Sequence, residues 1–424
     1  MKKRLCEFLD ACVTPYHTVS EMKGVLLKNG FQEILEDEDW SFTAGGAYFF
    51  THGGALIAFK IPSGDARSFQ LAAAHSDSPC FFVKKERNEG AYTRLSVEKY
   101  GGMILESWLD RPLSLAGRVM LSSTEGVEER LFRYEDALVI PSLAPHLSKD
   151  VKEKALDIKT DLLPVLSGGK TTLASLISSL LSCEEKDILS REVYLVSTQK
   201  AFLWSEEKYV TSPRLDDLQC VYALLEGLLS SSNRHAIPLL AVLSGEEVGS
   251  LSDSGADSSL LSRTLERIAV ALGKGGADYA KMLSASFMLS ADNAHAVHPA
   301  HPELADKDTG GVYMNGGIVI KHSASRSYAT DALSEGLLIA LLKRENIPYQ
   351  TYYNRADMRG GSTLGPISLR HVSVPTVDVG LSQLAMHSAA ETAGAEDTEH
   401  LFALARAYFS ASLSHKGELY SWIN

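Results

Sequence analysis

Two adjacent carboxylates, Glu246 and Glu247, follow the apolar run Leu239–Leu243 in LLAVLSGEEVGS. A short apolar run with no polar residue at helical spacing reads as a buried strand. Gly245 and Gly249 permit the sharp turn that lifts both acids off its carboxyl end. In open α/β sheets, ligands gather at that edge. Successive residues of an extended chain point opposite ways, so one Glu can hold a metal while the other takes a proton.

Further segments place donors of the same kind just past apolar strands or at helix starts: AAAHSDSP (His75, Asp77), SPRLDDLQC (Asp216, Asp217), LSADNAHAVHP (Asp292, His295, His298) and LAMHSAAE (His387). Imidazoles and carboxylates without a thiolate suit Zn²⁺, and to a lesser degree Mn²⁺ or Co²⁺. Asp77 is spaced to hold the His75 ring in one tautomer. At a helix start, the Asp216 carboxylate lies near the positive helix end and is placed to bridge two cations. Each fragment alone also has a purely structural reading. His75 fits a core histidine, Asp216 or Asp217 a helix cap, Asp292–Asn293 an Asx turn, and Glu246–Glu247 a solvated turn. Together they argue for one shared site, because carboxylates at a core's rim are costly without partners. Pro299 and Pro302 rule out a helix that would align His295, His298 and His301.

The elements that must position these residues form two kinds of stretch. Leu5, Phe8, Leu9 and Cys12 share one helical face, and the acids Glu7 and Asp10 interrupt any signal-peptide core. A helix follows near Ser20–Asn29, then strands Ala55–Ile61 and Phe69–His75. From about Phe81 to Trp204 the chain reads as short strands and turns, among them Ala91–Val97, Gly117–Leu121 and Arg191–Val196, with a Ser/Gly/Lys-rich stretch at Ser167–Thr172. Past Pro213, strand and helix alternate: helices at Leu218–Leu229, Ser259–Leu272, Thr330–Arg344 and Thr398–Ser414, strands at Ile237–Leu243, Ser284–Ser290, Tyr349–Asn354 and Val374–Val379. This pattern predicts an α/β protein with a mostly parallel sheet flanked by helices, built from residues 1–80 and 206–424, with a β-rich domain inserted at 81–205.

At 424 residues the chain is long enough for two or three domains. Its net charge of −12, with no basic stripe, disfavours nucleic acid. No apolar run approaches the ~20 residues that span a bilayer. Five cysteines without a C-x-x-C pair suggest reduced thiols and a cytoplasmic protein.

A wider set of motifs carries a family resemblance. TPYHTV, AAHSDSP, GG-x₅-W-x-DRPLSLAGRV, IPSLAPHL, SPRLDDL, SGEEVGS, SADNAHAVHP, GGIVIKHSASRSYATD, DMRGGSTLGPI and LAMHSAAE run in order from residue 14 to residue 391. Together they resemble the aspartyl-aminopeptidase-like di-zinc metallopeptidases. The resemblance implies a zinc-exopeptidase-like catalytic domain, an inserted β-rich oligomerisation domain, two divalent metals and a homododecamer acting on peptide substrates. It implies removal of N-terminal residues by a metal-activated water with a Glu general base; some members prefer acidic residues and others neutral ones.

Carried over by position, His75, Asp216 and Asp292 would hold one metal, with Asp77 steering the His75 ring. Asp216 would bridge to the second metal, which Glu247 and His387 complete, and Glu246 would be the general base. His298 resembles the histidine beside the substrate carbonyl, and His146 of IPSLAPHL the histidine that reaches a neighbouring subunit's site. Lys321 resembles a residue of the pocket for the N-terminal side chain, where it would pair with an acidic residue; its simpler reading is a snorkelling strand-end lysine. Asp217 stands where some members have Asn, and Ser142 where some have a second His; these departures leave the side-chain preference open. The alternatives are a di-zinc carboxypeptidase or deacylase, and a self-assembling scaffold without the chemistry.

Overall fold

The computed structural model describes residues 1–134, 136–147, 155–358 and 360–423, so Arg359 of the DMRGGSTLGPI motif lies outside the described residues. The described residues form four sheets, the largest a nine-stranded one. Its spatial order is Gln32–Glu33, Ala47–His52, Ala55–Lys60, Ala236–Leu243, Ser68–His75, Phe287–Ala291, Thr376–Gly380, Ile318–His322 and Tyr349–Tyr353. The four consecutive strands from Ala236–Leu243 to Thr376–Gly380 run parallel, while Ala55–Lys60 and Ile318–His322 border them antiparallel. The central strands are buried on both faces, which explains why they read as unbroken apolar runs. Period-two alternation splits each between two cores. Leu240 and Val242 enter one with Ala72 and Ala74, and Leu239, Ala241 and Leu243 enter the other with Leu71 and Ala73. The helices Leu215–Leu229 and Ala395–Ser410 pack in the first core, and Leu260–Ala271 in the second.

Register gathers the strand ends. Leu243 pairs with His75 and Ala291 with Val379, so Glu246, His75 and Asp292 all emerge at one edge. Gly380 is needed here: a Cβ on it would stand 1.9 Å from the Asp292 carbonyl oxygen.

Between Cys80 and Ser197, a six-stranded antiparallel sheet runs Gly126–Arg133, Leu113–Ser123, Ile188–Ser197, Cys80–Glu89, Tyr92–Tyr100 and Val165–Ser167. Leu95, Leu115, Val119, Val193 and Leu195 form its core. Phe202–Trp204 pairs instead with Tyr209–Ser212, in a five-stranded sheet that continues through Glu391–Gly394 and Ser382–Leu384 to Ala294–His295.

Several elements depart from the sequence reading. The second helix starts at Pro15, not near Ser20, because Thr14 caps it by accepting from the His17 N–H and Pro15 fits the first helical position. Leu173–Leu181, to which the sequence pattern assigns no element, is a helix. Thr172 and Ser175 cap each other there, and Leu173, Leu176 and Ile177 bury one face. Ser284 ends the helix Ala277–Ser284 instead of opening a strand; Ser286 turns the chain by donating to the Met282 carbonyl and accepting from Phe69 N–H, and the strand begins at Phe287. The last helix, Ala395–Ser410, stops short of Ser414; Ala411 is extended, and Ser412–Lys416 and Leu419–Ile423 form a closing hairpin. No described helix is long and apolar enough to cross a membrane.

Candidate metal centre

At the collected strand ends lies a cavity of about 250 Å³ lined by His75, Asp216, Glu246, Asp292, His295, Lys321, Tyr328, Tyr352 and His387, among others. Glu246 and Glu247 sit in a one-turn 3₁₀ segment between Gly245 (φ 80°) and Gly249 (φ 96°), not on extended chain. Both acids therefore turn toward the same histidine, His75, instead of to opposite sides. Asp77 sets this turn: its Oδ1 accepts from Glu246 N–H and its Oδ2 from Glu247 N–H, each at 3.2 Å, and Tyr100 Oη donates to Oδ2 at 2.9 Å. The nearest acceptor for His75 Nδ1 is the Asp77 backbone carbonyl, at 3.0 Å, with the carboxylate at 3.7 Å. Donation from Nδ1 leaves the lone pair of Nε2 facing Asp216 Oδ1, 3.3 Å away.

Three sets of donors come within 4.8 Å of one another: His75 with Asp216 and Asp292, Asp216 with Glu247 and His387, and His75 with Glu246 and Glu247. Asp216 belongs to two of them. His387 Nε2 lies 3.5 Å from both Asp216 Oδ2 and Glu247 Oε2. Asp216 Oδ1 and Glu247 Oε1 are buried without a hydrogen-bond partner. Buried carboxylate oxygens without donors, beside imidazole nitrogens, fit cations between them.

The electrostatics carry the same stress. Burial, aided by Asp292, Asp216 and Asp77 and opposed by His75, pushes Glu246 up to about 7. Burial raises Glu247 well above the usual carboxylate range, with Asp216 and Glu246 adding to it. Burial works on Asp216 in the same sense, but His387 and His75 win and hold it low. So many acids in so little water are stable only when positive charge is shared among them.

The other sequence candidates divide. Lys321 is 3% exposed and does not snorkel. Its Nζ donates to the Asn293 carbonyl at 2.6 Å and lies 3.4 Å from Asp292 Oδ1. His298 is exposed and lines an adjoining cavity of about 330 Å³, where its ring packs on His301. His295 lines both cavities, so it is the imidazole of that segment nearest the acids' cavity. His146 lies on an exposed turn, Pro145–Leu147.

A family model for the aminopeptidase I zinc metalloproteases, M18, matches residues 8–409. The chain belongs to the M18 family of zinc aminopeptidases. A probable M18 family aminopeptidase 2 of Clostridium novyi is 38% identical over 410 residues, 93% of this chain and 94% of that protein. Its namesake in Mycobacterium bovis is 35% identical over 426 residues, 97% and 98% of the two chains. Among solved structures, a chain of the Ape4 and Nbr1 complex has a TM-score of 0.91 at 31% identity, covering 96% of this chain and 85% of that one. The prApe1 crystal structure has the same TM-score at 25% identity, over 96% and 94%.

In this M18 aminopeptidase, Glu391 is a buried carboxylate behind Asp216 and His387 that is not among the sequence candidates. It is 1% exposed, and its two oxygens accept from the backbone N–H of Asp216 at 3.1 Å and of His387 at 2.7 Å. The signal lay in LAMHSAAE, four residues after His387, but nothing in the sequence showed which backbone groups it would meet. Tyr100 was equally unmarked, lying in the β-rich stretch and reaching Asp77 only through the fold.

Proposed function

We propose that the chain removes the N-terminal residue of peptides at a two-cation centre. His75, Asp216 and Asp292 would hold one cation, and Asp216, Glu247 and His387 the other. The observation that carries this reading is the pair of donor sets sharing Asp216, with Glu246 on the wall of the same cavity. Zinc, when bound, supplies Lewis acidity that lowers the pKa of a water and polarises the scissile carbonyl. Glu246, on the wall of the same cavity, takes the proton of the attacking water and delivers it to the leaving amine. Asp77 holds the Glu246–Glu247 turn and, through its carbonyl, the His75 tautomer. The acids around the cavity receive the free α-ammonium, which restricts cleavage to chain ends. His295 and, from the adjoining cavity, His298 flank the path of the substrate carbonyl.

Lys321 sets an acidic preference in this reading. Its ammonium has three N–H donors, and Asn293 and Asp292 take two of them. The third is left for the carboxylate of an N-terminal Asp or Glu. Residues 81–205 form the inserted assembly domain of a homododecamer. In support, Leu143 and Leu147 are 56% and 73% exposed on either side of His146, and a dodecamer of mApe1 from S. cerevisiae shares the fold with a TM-score of 0.84. His146 then completes the site of a neighbouring subunit.

The experiment is turnover of Asp-, Glu- and Leu-amides and of their N-acetylated forms, before and after chelation. The free-amine substrates should be cleaved only with metal and the acetylated ones left intact. Cleavage of the acetylated peptides would favour a carboxypeptidase or deacylase. In Lys321→Met, an Asp-to-Leu kcat/KM ratio equal to that of the parent would reject the pairing of Lys321 with an acidic side chain.

A further inference from the structure

Glu391 accepts from two backbone N–H groups, and both belong to residues of one donor set, Asp216 and His387. Its strand register explains how. Glu391 pairs with Ser212, so its side chain meets the chain as it enters Asp216, while His387 lies four residues upstream on the tight loop before the strand. His387 holds a left-handed backbone (φ 68°), which a non-glycine residue keeps only when its surroundings impose it. Two bonds impose it: Glu391 Oε1 accepts from its N–H, and Ile104 N–H donates to its carbonyl at 3.1 Å. The third member, Glu247, is packed against Gly101 (φ 78°), where a Cβ would stand 3.1 Å from Glu247 Cβ.

Resting on the two-cation reading, we infer that Glu391 is a positioning residue for the cation held by Asp216, Glu247 and His387. It spaces the bridging carboxylate against the imidazole by accepting from the backbone N–H of each. An amide at this position could satisfy one N–H only, because its NH₂ would face the other. Outer groups of this kind typically change metal affinity by about 10–100-fold. The set of His75, Asp216 and Asp292 has separate supports: the Asp77 carbonyl on His75, and the Ser78 hydroxyl, which donates to the Asp216 carbonyl at 2.9 Å.

The test is calorimetric zinc titration of the apo-protein, with Glu391→Gln beside the parent. The control is Asp397→Asn. Asp397 is also a buried carboxylate that accepts two backbone N–H groups, from Asn315 at 2.6 Å and Gly317 at 2.8 Å, but it belongs to no donor set. Glu391→Gln should bind one ion as the parent does and the other at least about tenfold more weakly, with activity restored by excess zinc at unchanged KM. Asp397→Asn should lose thermal stability and keep both affinities. Parent-like binding of both ions by Glu391→Gln, or equal weakening of both in the two variants, overturns the inference. Should Glu391→Gln fail to fold, Glu391→Asp, which keeps the charge and shortens the reach, should show the same selective weakening. A parent that takes up a single ion defeats the two-cation reading, and an unchanged affinity for that ion in Glu391→Gln defeats the role of Glu391 separately.

Discussion

The nine-stranded and six-stranded sheets are both filled with Leu, Val, Phe and Ala, yet only the first presents a cluster of acids and imidazoles among the described residues. Strand direction accounts for the difference. Parallel strands end at a common edge, so the residues after Leu243, His75 and Ala291 must meet there. In the antiparallel sheet, successive strands end at opposite edges, and chemistry-bearing residues placed at strand ends are scattered. The six-stranded sheet still contributes to the site, through Tyr100 on Asp77, Gly101 against Glu247, and Ile104 and Ser107, which bond to the His387 carbonyl and the Ala389 N–H. One region holds the reactive groups, and the exit of the other buttresses them.

Removing the metal should separate the two regions most sharply. Chelation should lower turnover by at least about 1,000-fold. It should raise hydrogen exchange at 244–250 and 385–391 while leaving Leu115 and Leu195 protected. Equal loss of protection in both sheets would mean that they unfold as one unit. Next in size, Leu195→Ala removes a fully buried side chain of the six-stranded core and should cost about 2–5 kcal/mol in denaturant unfolding. Zinc affinity of the folded fraction should stay the same; if it falls with stability, the regions are not separable.

His17 tests their junction, because its neighbours Arg133 and Arg214 come one from each region. Burial first, and then these two guanidinium groups, push its pKa down to about 4 from 6.5. The folded state therefore takes up the proton less readily than the unfolded chain. The stability tied to neutral His17 is fully present above pH 6.5 and is lost as pH falls toward 4. Between pH 7 and 5 the parent should lose about 1–2 kcal/mol more than His17→Gln, read from urea midpoints at each pH. Parallel curves for the two proteins would place the acid sensitivity elsewhere. The smallest effect is expected for Gly101→Ala, about 1 kcal/mol from the left-handed backbone. Its larger signature should be weakened zinc binding through Glu247, and a variant with parent-like affinity would remove the buttress from the comparison.

Much of this was legible in the chain itself. The face of Leu5, Phe8, Leu9 and Cys12, the strands near 55–61, 69–75 and 237–243, and the acid and His segments that follow apolar runs all carry local signals of period and turn chemistry. The Thr172–Ser175 capping box and the Thr14–Pro15 helix start were also written locally, but Ser- and Gly-rich surroundings masked the first and a strict apolar period missed the second.

Local pattern determined which residues are donors and that they leave apolar strands, because periodicity and turn preference act over a few neighbours. Only the tertiary structure decided which donors come within reach of one another, since register fixes distances between residues hundreds of positions apart. It alone turned both glutamates toward His75, buried Lys321 beside Asp292, put His295 rather than His298 in the acids' cavity, and set Glu391 under Asp216 and His387. Each of these depends on a buried polar group finding its partner across the fold, a constraint that acts only once the chain has closed around it.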